Sequence, residues 1–161
     1  MHPIHAETDG LVGWIRGRFA PGPGQATIEA GQVEIPLAAL SSANALYDAE
    51  LRRRIDVRRY PTALGVLSEW MPTPDPGTYR VRGTVTFRGV TRPVENTMTL
   101  SMESAAAIVL SGSCVLDIRD FGMTPPRLLA LRVYPEVTVR VAITGRRVRP
   151  VRPSRPERPG S

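Results

Sequence analysis

Residues 78–102 read TYRVRGTVTFRGVTRPVENTMTLSM, and the fold follows from how this stretch alternates. In its first half, Tyr79, Val81, Val85 and Phe87 fall on one side of an extended chain and Arg80, Arg82, Thr84, Thr86 and Arg88 on the other. That is the period-two pattern of a strand with one buried face. In the second half, Val94, Met98, Leu100 and Met102 alternate with Glu95, Thr97, Thr99, Ser101 and Glu103. Between them, the Gly and Pro of Gly89-Val90-Thr91-Arg92-Pro93 supply a turn, so the stretch predicts a β-hairpin with one apolar face.

A lone hairpin is marginal in water, so further strands must cover that face. The chain supplies them. Ile108, Leu110, Cys114, Leu116 and Ile118 alternate with Ser111, Ser113, Asp117 and Arg119, and Val133, Val137, Val139, Val141 and Ile143 alternate with Thr138, Arg140, Ala142 and Thr144. Consecutive alternating strands predict an antiparallel all-β domain.

The N-terminal half is read outward from the hairpin. Residues 10–19 predict a strand with Ile15 and Phe19 on one face and Trp14, Arg16 and Arg18 on the other, followed by a turn at Pro21-Gly22-Pro23-Gly24. Ala26 and Ile28 predict a strand, and Val33, Ile35 and Leu37 a second piece after a break near Gly31, with Pro36 marking an edge or an early end. Residues 41–56 predict the one helix. Ser42 or Asn44 can cap it, Leu46, Leu51 and Ile55 form its apolar stripe, and Arg52, Arg53 and Arg54 face solvent near its negative end. A strand over residues 62–70 is expected to place Leu64, Val66 and Trp70 together, opposite Ala63, Gly65 and Glu69. Residues 119–131, RDFGMTPPRLLAL, predict an apolar loop in which Phe121 is either part of a lid or a plug in the core.

Length and composition fit one globular domain: 161 residues, 42% hydrophobic and 22% charged. No apolar run nears the roughly 20 residues of a membrane-crossing helix. MHPIHAETDG shows no basic segment followed by an apolar one, so a cytoplasmic protein is expected. The single cysteine, Cys114, excludes an intramolecular disulfide and reads as a small buried hydrophobe. The net charge of +6 is mostly local: residues 146–161 carry six Arg and one Glu, leaving the rest of the chain at +1. No specific nucleic-acid binding is expected from so even a folded part. The tail repeats x-Arg-Pro four times (VRP, VRP, SRP, ERP), a spacing that aligns Arg149, Arg152, Arg155 and Arg158 along one edge of a polyproline II helix. It is expected to be a disordered, solubilising segment, with an anionic partner or a proline-recognition domain as the functional alternatives.

Catalytic readings find little support. His2 and His5 are the only histidines and lie near the chain's start, so no Ser-His-Asp arrangement is anchored in the sheet, and two potential metal ligands lack a third. Asp117, Arg119 and Asp120 read as a corner held by an Arg-Asp pair. No metal, no cofactor and no catalytic residue is expected.

Three blocks also carry a family resemblance: ALSSANALYDAELRRRIDVRRYP (39–61), YRVRGTVTFRGVTRPV (79–94) and LDIRDFGMTPP (116–126). In order and spacing they resemble the YceI family of lipocalin-like proteins, with the hairpin the most specific part. The resemblance implies an antiparallel barrel of about eight strands around an elongated apolar tunnel, which in family members holds a polyisoprenoid or another long-chain amphiphile. Members usually open with a strand carrying a Trp, Asp and His-Ser pattern; here it is absent or shrunk to residues 2–8, so the first strand is expected to be shortened. That edge is expected to be filled by the short strand or by a second copy of the chain.

The resulting expectation is a lipocalin-like β-barrel over residues 4–145 with one short helix, a tail over 146–161, and non-catalytic binding of an isoprenoid or acyl lipid. The expected tunnel lining is Val66, Val81, Val85, Phe87, Met98, Leu100, Leu110, Cys114, Leu116 and Val139, with Phe121 and Met123 near the mouth. Gly83 and Gly112 leave room on the same face, so Phe at either is expected to block binding with the fold mostly intact. Asn96 is the lone polar inward residue of its strand. The alternative is a packed barrel that acts as an interaction module through its Arg-Pro tail or an open sheet edge.

Overall fold

A computed structural model describes residues 10–19, 26–41, 44–124, 127–128, 131–132 and 135–148. Among these, nine strands and one helix follow in chain order: β1 (Val12–Phe19), β2 (Ala26–Pro36), α1 (Ala45–Ile55), β3 (Thr62–Pro72), β4 (Thr78–Phe87), β5 (Val90–Ser104), β6 (Ala107–Asp117), β7 (Arg127–Leu128), β8 (Leu131–Arg132) and β9 (Glu136–Arg146). Single 3-10 turns stand at Leu37–Ala39 and Ile118–Phe121. Seven strands make one antiparallel sheet in the order β1-β2-β3-β4-β5-β6-β9, while β7 and β8 pair with each other in a second, small sheet. The fold is thus the expected antiparallel β architecture with one helix, curled into a half-barrel. Its main sheet has seven strands instead of eight, because the anticipated first strand at residues 2–8 lies outside the described residues.

The hairpin that decided the fold is built from β4 and β5, registered from Thr78↔Thr99 to Phe87↔Val90. Its turn is shorter than expected. Arg88 and Gly89 both have positive φ, 51° and 74°, which is the two-residue turn that matches strand twist. Pro93 therefore lies inside β5, opposite Thr84. The ladder of β5 with β6 begins only at Met98↔Gly112, so on that side the missing proline N–H removes no sheet bond.

β2 is a single strand instead of two pieces. A register shift opposite Arg16/Gly17 absorbs the expected break, and the strand ends at Pro36. The helix starts later than expected, at Ala45, with Asn44 Oδ1 accepting from the N–H of Leu46 at 3.0 Å; Ser42 lies outside the described residues. It stops at Ile55 because Asp56 turns into the left-handed region, φ 58°. Leu46 does not join the apolar stripe: it is 77% exposed, whereas Leu51 and Ile55 pack inward.

Candidate functional site

Residues paired directly across antiparallel strands share a face of the sheet. Register therefore assigns one inward face: Tyr79, Val81, Gly83, Val85 and Phe87 on β4; Val94, Asn96, Met98 and Leu100 on β5; Leu110, Gly112, Cys114 and Leu116 on β6; Val139, Val141 and Ile143 on β9. Nine of the ten residues expected along the tunnel share it, from Val81 through Val139. Most are half-buried, and Leu110 is buried.

Val66 is the exception and is corrected. It pairs with Thr84 on the outer face and is 39% exposed. The cause is a register shift between Leu67 and Glu69, where β3 carries an extra residue at Ser68. Before the shift Ala63, Gly65 and Leu67 face inward, and after it Trp70 does, so Leu64 and Val66 never share a face with Trp70. The shift also explains Gly83. A Cβ there would stand 2.2 Å from the Val66 carbonyl oxygen, so only glycine fits where the strands press together.

One end of the inward face is closed. Leu37, Ile55 and Ala63 are buried together, with Ile35, Leu40, Leu51, Val57, Phe87 and Met123 packed around them. Phe121 is 3% exposed and meets Phe87 edge to face at 5.6 Å between centroids. Phe121 and Met123 are therefore not at a mouth, as expected, but in this plug. The reason is Arg88. Its Nε donates to the Ile55 carbonyl at 3.3 Å, and its Nη1 to the carbonyls of Gly122 at 3.0 Å and Phe121 at 3.4 Å. One guanidinium thus ties the helix end to the 118–121 turn, helped by Arg92 Nε donating to the Asp120 carbonyl at 2.9 Å. Pure alternation placed Arg88 on a solvent face, and only its position beside the turn hinted otherwise. At the other end of the sheet, Trp70 stacks on the fully buried Tyr79 with centroids 4.5 Å apart.

The outer face is polar. Arg82 bridges Glu95 at 2.7 Å and Glu69 at 3.2 Å, while Thr99 and Ser111 hydroxyls meet at 2.8 Å. The Arg82 guanidinium holds the Glu95 carboxyl below the usual carboxylate range, and Arg53 and Arg54 do the same for Glu50. At the corner, Arg119 grips both oxygens of Asp117 and lowers its pKa, matching the expected Arg-Asp pair. Short side chains of β5, β6 and β9, among them Thr97, Ser113 and Ala142, leave a shallow outer hollow of about 490 Å³ beside Arg140. On the inward face, burial pushes the Cys114 thiol up, which lowers its nucleophilic fraction at neutral pH. Among the described residues no three His, Cys, Asp or Glu side chains cluster as a metal site, and no helix is long and apolar enough to cross a membrane. His2, His5 and the Arg-Pro repeats lie outside the described residues.

A family model described as YceI-like domain matches residues 4–145. Among solved structures, a YceI protein of Campylobacter jejuni is similar at 14% identity and a TM-score of 0.76, covering 92% of this chain and 88% of its own. Burkholderia cenocepacia BcnA is 18% identical with a TM-score of 0.75 over 89% of both chains. A polyisoprenoid binding domain from Saccharophagus degradans, implicated in plant cell wall breakdown, is 13% identical with a TM-score of 0.61, covering 81% of this chain and 80% of its own. No functionally curated protein matches the chain in sequence.

Proposed function

The chain belongs to the YceI-like family, and from that premise we propose that it is a non-catalytic carrier or store for a long-chain amphiphile, isoprenoid or acyl, laid along the inward face of the sheet. One observation carries the reading: a face built from four neighbouring strands is mostly apolar, half-buried in its middle, and plugged at one end by Leu37, Ile55 and Phe121. An apolar face curled into a half-barrel, closed at one end and carrying valines and methionines, suits a chain better than a compact polar substrate. The Saccharophagus degradans domain, a polyisoprenoid binder of similar fold, supports the same ligand class.

The energetics suffice without catalytic groups. Burying a CH₂ is worth about 0.8 kcal/mol, so an isoprene unit contributes on the order of 3 to 4 kcal/mol before ordering costs. A few units reach roughly micromolar binding, near −8 kcal/mol, after association penalties. The test uses two neighbours on β6. Cys114 faces inward, while Val115 faces out and is 62% exposed. Cys114→Trp should abolish co-purification of lipid in native mass spectrometry, and Val115→Trp should leave it intact. Equal lipid occupancy in both variants would sink the proposal.

A second reading rests on β1. This edge strand presents Val12 at 69% and Trp14 at 51% exposure on its outer side, and it is not paired with β9 in the described sheet. Exposed apolar edges invite pairing, here with a second copy of the chain. Sedimentation equilibrium should then show a dimer that Trp14→Glu dissociates; a monomeric mass at all concentrations rules this reading out.

A further inference from the structure

Beyond the plugged end, where Arg92 lies, the inward face is apolar except at one level. Register sets Trp70 opposite Val81, and Val81 opposite Asn96, so an indole and a carboxamide stand in one row across β3, β4 and β5. The ring of Trp70 is held against Tyr79, and its Nε1–H is fully enclosed yet meets no acceptor among the described residues. Asn96 shows the same bias. Its Oδ1 accepts from the backbone N–H of Thr97 at 2.7 Å, which leaves the Nδ2 end, beside Gly112, to donate. That nitrogen lies 3.3 Å from where a Cβ of residue 112 would be.

Enclosed donors without acceptors are costly, and apolar faces rarely keep them without use. One such donor, with the open Asn96 amide beside it in the same row, points to an acceptor carried by whatever lies there. Charge narrows its nature. Among the register-paired residues of the seven-stranded sheet the only charged side chain of inward parity is Arg92, and it is drawn to the plugged end by the Asp120 carbonyl. An anionic group at the Trp70 level would be desolvated with no cation beside it.

Resting on the carrier reading, we infer that the row of Trp70 and Asn96 seats a neutral oxygen acceptor, a ketone or ester on the bound chain, and so selects oxygenated lipids over plain hydrocarbons and over phosphates. Trp70 Nε1–H is the principal donor and Asn96 Nδ2 the second.

The experiment compares three probes in displacement of a bound fluorescent acyl reporter: farnesylacetone, the same chain with its C=O reduced to CH₂, and farnesyl diphosphate. A net neutral hydrogen bond should favour the ketone over the hydrocarbon by about three- to tenfold. In Trp70→Phe that ratio should fall to about one, and in Asn96→Leu it should fall part of the way. A readout on the unaltered protein guards against variants that fold poorly. The Trp70 indole N–H resonance should move downfield with the ketone and not with the hydrocarbon, while that of Trp14, on the outer face, stays in place. Equal affinities for ketone and hydrocarbon, an unmoved Trp70 resonance, or a preference for the diphosphate would overturn the inference. Displacement by none of the three would overturn the carrier reading with it.

Discussion

The plugged end and the middle of the inward face are both apolar, yet they differ in how they are filled. Leu37 and Ile55 are 3% and 2% exposed, while Val81, Val85, Val94 and Val139 on the strands remain half-buried. The difference comes from what stands opposite. At the plug, the helix and the 118–121 turn bring their own apolar side chains to the sheet. In the middle, Gly31, Gly65 and Gly112 lie on the same face and carry no side chain of their own over it. On the carrier reading, stability and binding capacity are thus separated along one face: one end holds the protein together and the other takes the guest.

Mutation should expose that division. Leu37→Ala or Ile55→Ala should cost about 2–5 kcal/mol in urea unfolding, as expected for a filled core. Val85→Ala or Val139→Ala should cost under about 1.5 kcal/mol, because half-buried methyl groups lose less. Similar losses at both places would erase the distinction. The smallest effect concerns the ion pairs of the helix, the sheet's outer face and the corner at Asp117. Glu50, Glu95 and Asp117 are held below ordinary carboxylate values by arginines, so their stabilisation is complete above the unfolded carboxylate range of about pH 4 and is lost as pH falls through the folded values. All three side chains reach solvent, Glu95 most and Asp117 least, so melting temperature should fall only slightly between pH 7 and pH 3 from this source.

Alternation is enough to read the hairpin, the helix and the shared face of Val81 to Val139, because side-chain period depends only on local backbone geometry. It fails where local geometry breaks. The extra residue at Ser68 reverses the parity of Leu64 and Val66 relative to Trp70, and no local signal in LGVLSEW marks it. The same limit hides the place of Phe121 and Met123, since their burial depends on Arg88 and Ile55, distant in the chain. Trp70 is readable as apolar but not as an unmatched donor, because acceptor contacts exist only once β2, β3 and β4 are assembled. Substitution tolerance escapes the sequence for a related reason. Phe at Gly83 or Gly112 is expected from alternation to fill the groove with the fold intact, but a Cβ would stand 2.2 Å from the Val66 carbonyl at the first and 3.0 Å from the Thr97 carbonyl at the second.

The Arg88 clasp bears on the order of events during folding. Its partners lie 33 residues earlier, at Ile55, and 33 to 34 residues later, at Phe121 and Gly122. The β4–β5 turn that carries Arg88 is local and closes with little loop entropy, whereas the clasp must wait until both remote segments have arrived. The scaffold of the groove can therefore form before its plug, and the clasp acts chiefly as a brake on unfolding, slowing the escape of the closed end once the rest is in place.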